Sequence, residues 1–152
     1  MIEVSVTPAS GADRDELDRL EAIARSGLDG QRGGAQHLAD GGPWRLADRV
    51  DALNAAVILG RLDGVPVAFV CVAERPTGSA MIEALFVERD AREIGIGEVL
   101  AAAAIAWARQ RGATAIDAIA LPGDRATKNF FETFGLVARA IVVHRDLRVR
   151  DI

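Results

Sequence analysis

The sequence predicts a mixed α/β fold in one domain, residues 1–152. Three observations carry this reading. Runs with the alternation or the unbroken apolar content of strands recur along the chain. One long segment, 97–111, repeats apolar residues at helical spacing. Asp63-Gly64 separates two apolar runs, 55–62 and 65–73, which is a strong hairpin signal.

The elements follow in order. Residues 2–6 alternate polar and apolar, as a first strand does. Asp13-Arg-Asp-Glu16 has the spacing of a capping box, with Asp13 accepting the Glu16 backbone N–H. Leu17, Leu20 and Ala24 then recur at helical spacing to about Leu28. Residues 29–43 are rich in glycine and poor in apolar side chains, which predicts a mobile loop within the domain. A short helix is expected within 44–53. The hairpin 55–73 is followed by a turn at 75–79 and a strand at 80–87. The helix 97–111 ends at Gly112. A strand at 114–121 is broken by Pro122-Gly123. Asp124 caps a helix running to Phe134, with Gly135 as its stop. Residues 136–147 are expected to close the chain as one long strand or two joined by a bend. Phe130 and Phe134, four apart, and Trp107 are expected in the core. His37 is expected in solvent and His144 on a strand at the sheet surface. The order is β-α-(α)-β-β-β-α-β-α-β, with no internal repeat.

Composition removes several chemistries. A chain of this length buries roughly 68–70% of its unfolded surface, so a core forms without staples. The single cysteine, Cys71, forbids an internal disulfide and any multi-cysteine metal site. The two histidines lie far apart, with no carboxylate at ligand spacing, so no metal is expected. The chain has no tyrosine, and one lysine (Lys128) among its 18 basic residues. A net charge of −4 argues against nucleic acid as the main partner. The longest apolar stretch, 99–108, is too short to span a bilayer, and no signal-like segment opens the chain. These features predict a soluble, cytoplasmic protein.

The most informative stretch is 87–97, Val-Glu-Arg-Asp-Ala-Arg-Glu-Ile-Gly-Ile-Gly. A strand ends, a loop carries Arg92, and Gly95 and Gly97 open a helix. The first N–H groups of a helix have no partner within it, and the helix dipole favours an anion there. Glycines let a diphosphate approach the backbone, and Arg92 adds a charge-assisted contact. The dinucleotide fingerprint lacks its third glycine here. The P-loop lacks its lysine, since Glu98 follows Gly97.

Arg92-x-x-Gly95-x-Gly97 resembles the acetyl-CoA signature of the GNAT N-acetyltransferase superfamily, Arg/Gln-x-x-Gly-x-Gly/Ala. Leu85-Phe86-Val87 lies five residues before Arg92, as that family's fourth strand does. Residues 124–136 resemble its second motif, Asn-x-x-Ala-x-x-Leu-Tyr-Glu-x-x-Gly-Phe, with Asp124 at the asparagine and Phe131 at the tyrosine. The resemblance covers the whole chain. It implies a V-shaped splay between strands 4 and 5 that holds acetyl-CoA. The pantetheine arm would pair with the backbone of Leu85, Phe86 and Val87. The pyrophosphate would lie on the N–H groups of Arg92, Glu93, Ile94, Gly95, Ile96 and Gly97. Asp124 and Phe131 would flank the cofactor, although Asp124 is equally suited to capping its helix, holding Arg125 or meeting the amine. The acetyl group would pass directly to a primary amine of a small molecule or peptide. By analogy, the apolar stretch 136–143 suits a strand edge covered in a homodimer.

Proton chemistry points to two carboxylates inside apolar strands. An amine attacks a thioester only as its free base, so a general base is useful. Glu83 lies four residues before Val87, and by simple alternation shares a face with Leu85 and Val87. Polyamine and related acetyltransferases of the superfamily carry a glutamate at the matching place. Asp117 interrupts 114–120 on the next strand and is the second candidate. For each, the alternative is a carboxylate facing solvent or paired with an arginine. Phe131 cannot donate a proton to a leaving thiolate as a tyrosine would. Cys71, Ser79 and Thr127 are the candidate stand-ins. The missing tyrosine keeps open a second reading, a non-catalytic acyl-CoA-binding sensor or regulatory module.

Overall fold

A computed structural model describes residues 1–149. A five-stranded sheet runs in the order β1-β2-β3-β4-β5. β1 (Val4–Pro8), β2 (Ala55–Leu62), β3 (Val65–Glu74) and β4 (Ala80–Val87) pair antiparallel in sequence. β5 (Ile116–Ala118) joins β4 in parallel, so a crossover is required, and α3 (Ile96–Gln110) supplies it. α1 (Arg14–Asp29), α2 (Gly34–Gly41) and a 3₁₀ turn (Leu46–Arg49) lie between β1 and β2, and α4 (Arg125–Glu132) follows β5.

Strand alternation sorts the apolar side chains onto two faces. Val57, Leu59, Phe69 and Cys71 meet Leu17, Leu20 and Ala24 of α1, with Trp44 and Leu46. Ile58, Val70, Val72 and Ile82 meet Ile96, Leu100 and Ala104 of α3 on the other face. Leu17 and Leu100 are fully buried, each contributing roughly 1.5–3 kcal/mol. Gly60 lets α3 sit close to the sheet: a Cβ there would lie 2.8 Å from Ile96 Cδ1 and 3.2 Å from Ala68 Cβ. The β2–β3 turn has φ of 48° at Asp63 and 82° at Gly64, as a two-residue hairpin loop with two left-handed residues requires.

β4 carries a bulge. Cys71 faces Ala84 and Val72 faces Ile82, which leaves Glu83 as the extra residue. The insertion reverses the alternation beyond it. Ile82, Leu85 and Val87 pack on the α3 side, whereas Ala84 and Phe86 pack on the α1 side.

Several expectations are corrected. The stretch 29–43 contains α2, whose flanking glycines, Gly33 at φ 78° and Gly42 at φ 64°, turn the chain at both ends. His37 accordingly lies half-buried on a helix. The capping box sits one turn earlier than read. The Asp13 carboxylate accepts from the Ser10 backbone at 2.9 Å and from Arg61 at 2.9 Å, so it is not spent on Glu16. β5 is three residues long. Residues 136–147 form no strand: Val137, Ile141, Val142 and Val143 are exposed. Alternation makes a segment competent to pair, but a ladder needs a neighbouring backbone in register.

Candidate functional site

β4 and β5 pair through only three positions, ending at Ile82↔Ala118. Beyond that point the strands part, and the β5-side edge of β4 from Glu83 to Val87 is open. Leu85, Phe86 and Val87 are correspondingly only half-buried in mid-sheet. The bulged residue, Glu83, therefore stands at the vertex of a V-shaped splay.

The loop from β4 to α3 gathers backbone N–H groups at one end of the helix. Glu93 and Gly95 take φ of 66° and 94°, which turn the chain into α3. Among the described residues, the N–H groups of Glu93, Ile94, Gly95, Ile96 and Gly97 donate to no backbone or side-chain acceptor. They cluster at the positive end of α3. Arg92 Nε donates to the Val87 carbonyl at 3.0 Å, tying the loop ends together and leaving its terminal nitrogens for an anion. Ile96 is buried and anchors the first turn, whereas Ile94 is exposed. A Cβ at Gly97 would touch Val87 and Phe130 at 3.6 Å.

Glu83 does not share a face with Leu85 and Val87, because the bulge intervenes. Its Oε2 instead accepts from Arg49 of the 3₁₀ turn. Arg49 also donates to Cys71 Sγ at 3.4 Å. Burial works against the Arg49 charge, but Cys71 and Glu83 more than offset it, and the guanidinium is held above its ordinary range. Burial pushes the Cys71 thiol up to about 11, against the lowering influence of Arg49, so it stays protonated at neutral pH.

Asp117 is held by a two-pronged pair with Arg139, 3.0 Å to Oδ1 and 2.6 Å to Oδ2. That hydrogen bonding keeps its carboxyl below the usual carboxylate range. A carboxylate stabilised in this way is a poor proton acceptor. Asp124 caps α4 and gives both oxygens to Thr127, to its N–H at 3.0 Å and its hydroxyl at 2.7 Å. Its carboxylate serves as the helix cap.

The two adjacent phenylalanines of α4 differ in depth. Phe131, expected toward the cofactor arm, is 9% exposed in the core beneath α3. Phe130, expected in the core, packs half-buried against the same cluster and lies beside Gly97. Trp44 is buried against Phe69 with Arg25 over its ring, so it belongs to the core. Trp107 packs half-buried at the edge of the α3-side core, with Arg111 over its ring. His144 lines a cavity of about 500 Å³ with Gln36 and Asp40 of α2. Arg49 was not legible as part of the site: it is one arginine among many, and only the fold brings it to Glu83.

An open strand edge beside a helix N-terminus stripped of hydrogen-bond partners defines a fold built to hold an extended, anionic cofactor. Residues 31–136 match the Acetyltransferase (GNAT) family, and the chain belongs to that family. Its members take their acetyl group from acetyl-CoA, whose diphosphate suits the free N–H groups and Arg92. No curated protein matches the chain. Solved structures share the fold. The aminoglycoside N-acetyltransferase AAC(6')-Iy in complex with CoA is 18% identical, with a TM-score of 0.72, over 98% of this chain and 97% of that one. The BH1408 protein from Bacillus halodurans is 17% identical, with a TM-score of 0.74, over 94% and 99%. A ribosomal-protein-alanine N-acetyltransferase from Brucella melitensis biovar Abortus 2308 is 19% identical, with a TM-score of 0.65, over 96% and 99%. No helix among the described residues is long and apolar enough to cross a membrane.

Proposed function

We propose that the protein transfers an acetyl group from acetyl-CoA directly to a primary amine of a small molecule or peptide, with Glu83 as general base. The observation that carries this reading is the coincidence of the β4 bulge with the vertex of the splay, which sets a carboxylate beside an open strand edge.

When bound, acetyl-CoA supplies the acetyl group as a thioester. The open edge at Leu85, Phe86 and Val87 holds the extended arm. The N–H groups of residues 93–97 and the Arg92 side chain hold the diphosphate. Glu83 accepts the proton of the incoming ammonium, directly or through one water. No tyrosine is present, and Phe131 lies in the core. With a thiol pKa near 8.5, the leaving sulfur departs readily as a thiolate and takes its proton from water.

The test is release of free CoA from acetyl-CoA with a panel of amines: a polyamine, an aminoglycoside, an amino acid and a peptide with a free N-terminus. Turnover with at least one is expected. The buried Phe131 favours one alternative, an acyl-CoA-binding module without catalysis. Acetyl-CoA raising the melting temperature while no amine releases CoA establishes that alternative and overturns the enzyme reading. The reading includes a homodimer, supported by the exposed apolar side chains of 137–143.

A further inference from the structure

The Glu83 carboxylate has two oxygens, and the structure uses them unequally. Oε2 is taken by Arg49. Oε1 accepts no hydrogen bond among the described residues, and the side chain keeps 26% of its exposure. Arg49 is itself braced. It belongs to the 3₁₀ turn Leu46–Arg49, and the start of that turn is pinned to α1. Glu21 accepts from the backbone of Arg45 at 3.1 Å and of Leu46 at 2.9 Å. Arg25 donates to the Gly42 carbonyl at 2.8 Å and covers Trp44. At the far end, the guanidinium rests on the neutral Cys71 thiol at 3.4 Å.

We propose that Arg49 is a positioning residue that clamps Oε2 of Glu83 and leaves Oε1 as the single proton acceptor of the site. A guanidinium suits this task. It does not give up its proton, so it orients the base without competing for the amine's proton. One terminal nitrogen, Nη1, donates to both the carboxylate and the sulfur, so the two contacts fix the side chain between β3 and β4. Cys71 takes no part in proton transfer. The residue sits in the stretch between α2 and β2, so the cover over the α1 face of the sheet also orders the base. The inference rests on the reading of Glu83 as base.

The experiment compares Arg49→Met, Arg49→Lys, Glu83→Gln and the double variant Arg49→Met/Glu83→Gln. The probe is the amine of the panel with the fastest turnover. Arg49→Met is expected to lower kcat about tenfold or more, since a misplaced base loses its orientation. Its acetyl-CoA Kd and its melting temperature without ligand are expected to stay near wild type. Arg49→Lys is expected to recover part of kcat, and methylguanidinium added to Arg49→Met is expected to do the same. In the Glu83→Gln background, Arg49→Met is expected to cost nothing further. Losses that multiply in the double variant, or an Arg49→Met kcat equal to wild type while Glu83→Gln is impaired, overturn the positioning role alone. Full activity in Glu83→Gln overturns the base reading and this inference with it. Should Arg49→Met fail to fold, Arg49→Lys decides: a kcat loss that disappears in the Glu83→Gln background supports the role, and one that persists refutes it.

Discussion

Glu83 and Asp117 are both strand carboxylates held by arginines, and the manner of holding separates them. Glu83 gives one oxygen to Arg49 and keeps the other. Asp117 gives both to Arg139. Replacing Glu83 with Gln removes the proposed proton acceptor but keeps the side-chain volume. Turnover is expected to fall roughly 10²-fold or more, with the acetyl-CoA Kd nearly unchanged, as measured by steady-state kinetics and calorimetry. Asp117 is expected to act on stability instead. Its folded pKa lies below the ordinary 3.8. Its contribution is therefore fully present above that value and fades as pH falls through the lower folded value. Urea midpoints between neutral pH and pH ~3 should fall less steeply in Asp117→Asn than in wild type. The contribution is small, because Arg139 is mostly exposed and the pair is screened.

At the scale of elements, the anion site depends on where α3 begins. Its first turn rests on Gly60 of β2, where a side chain would collide with Ile96 and Ala68. Ile96 is 1% exposed and has little room to yield. Gly60→Val is expected to destabilise the fold by about 1–3 kcal/mol through overpacking. It should also weaken acetyl-CoA, because the N–H groups of 93–97 move with the helix; denaturation and calorimetry on one variant test both. Gly95→Ala isolates a different effect. Space at Gly95 is open, but its φ is 94°. The cost is backbone strain of about 1–2 kcal/mol, and the loop is expected to relax away from the anion-binding form and raise the acetyl-CoA Kd. These elements were largely legible in the sequence. The hairpin turn at Asp63-Gly64 and the helix after Gly95 follow from backbone chemistry that a few residues determine. The bulge was not. Nothing in Ile82-Glu83-Ala84 marks an inserted residue, since a bulge is a relation between two strands. That one insertion moved Glu83 to the opposite face from the one alternation assigns it. α2 was missed because glycines at 33, 34, 41 and 42 read as loop, although Gly34 is required: a Cβ there would meet the Leu28 carbonyl.

At the scale of the whole molecule, the sheet ends at a three-residue strand, and the chain beyond α4 has the composition of a strand without a partner. Residues 136–147 were read as a strand from their alternation and β-branched content, and that content is real. Ile141, Val142 and Val143 are 86%, 88% and 90% exposed, consecutive and uncharged. An uncovered run of this kind is a template for association and is seldom left in contact with water. The proposed homodimer covers it. Light scattering is expected to give twice the mass of the chain. Val142→Asp is expected to give a single-chain mass, because a charge in the covered stretch has no partner there. The same substitution should leave the intrachain core untouched, since Val142 contacts neither core cluster. A wild-type protein of single-chain mass at working concentrations would remove the dimer from the reading while leaving the β4 edge, Glu83 and the α3 N-terminus as they are. None of those elements packs against a residue of 137–143.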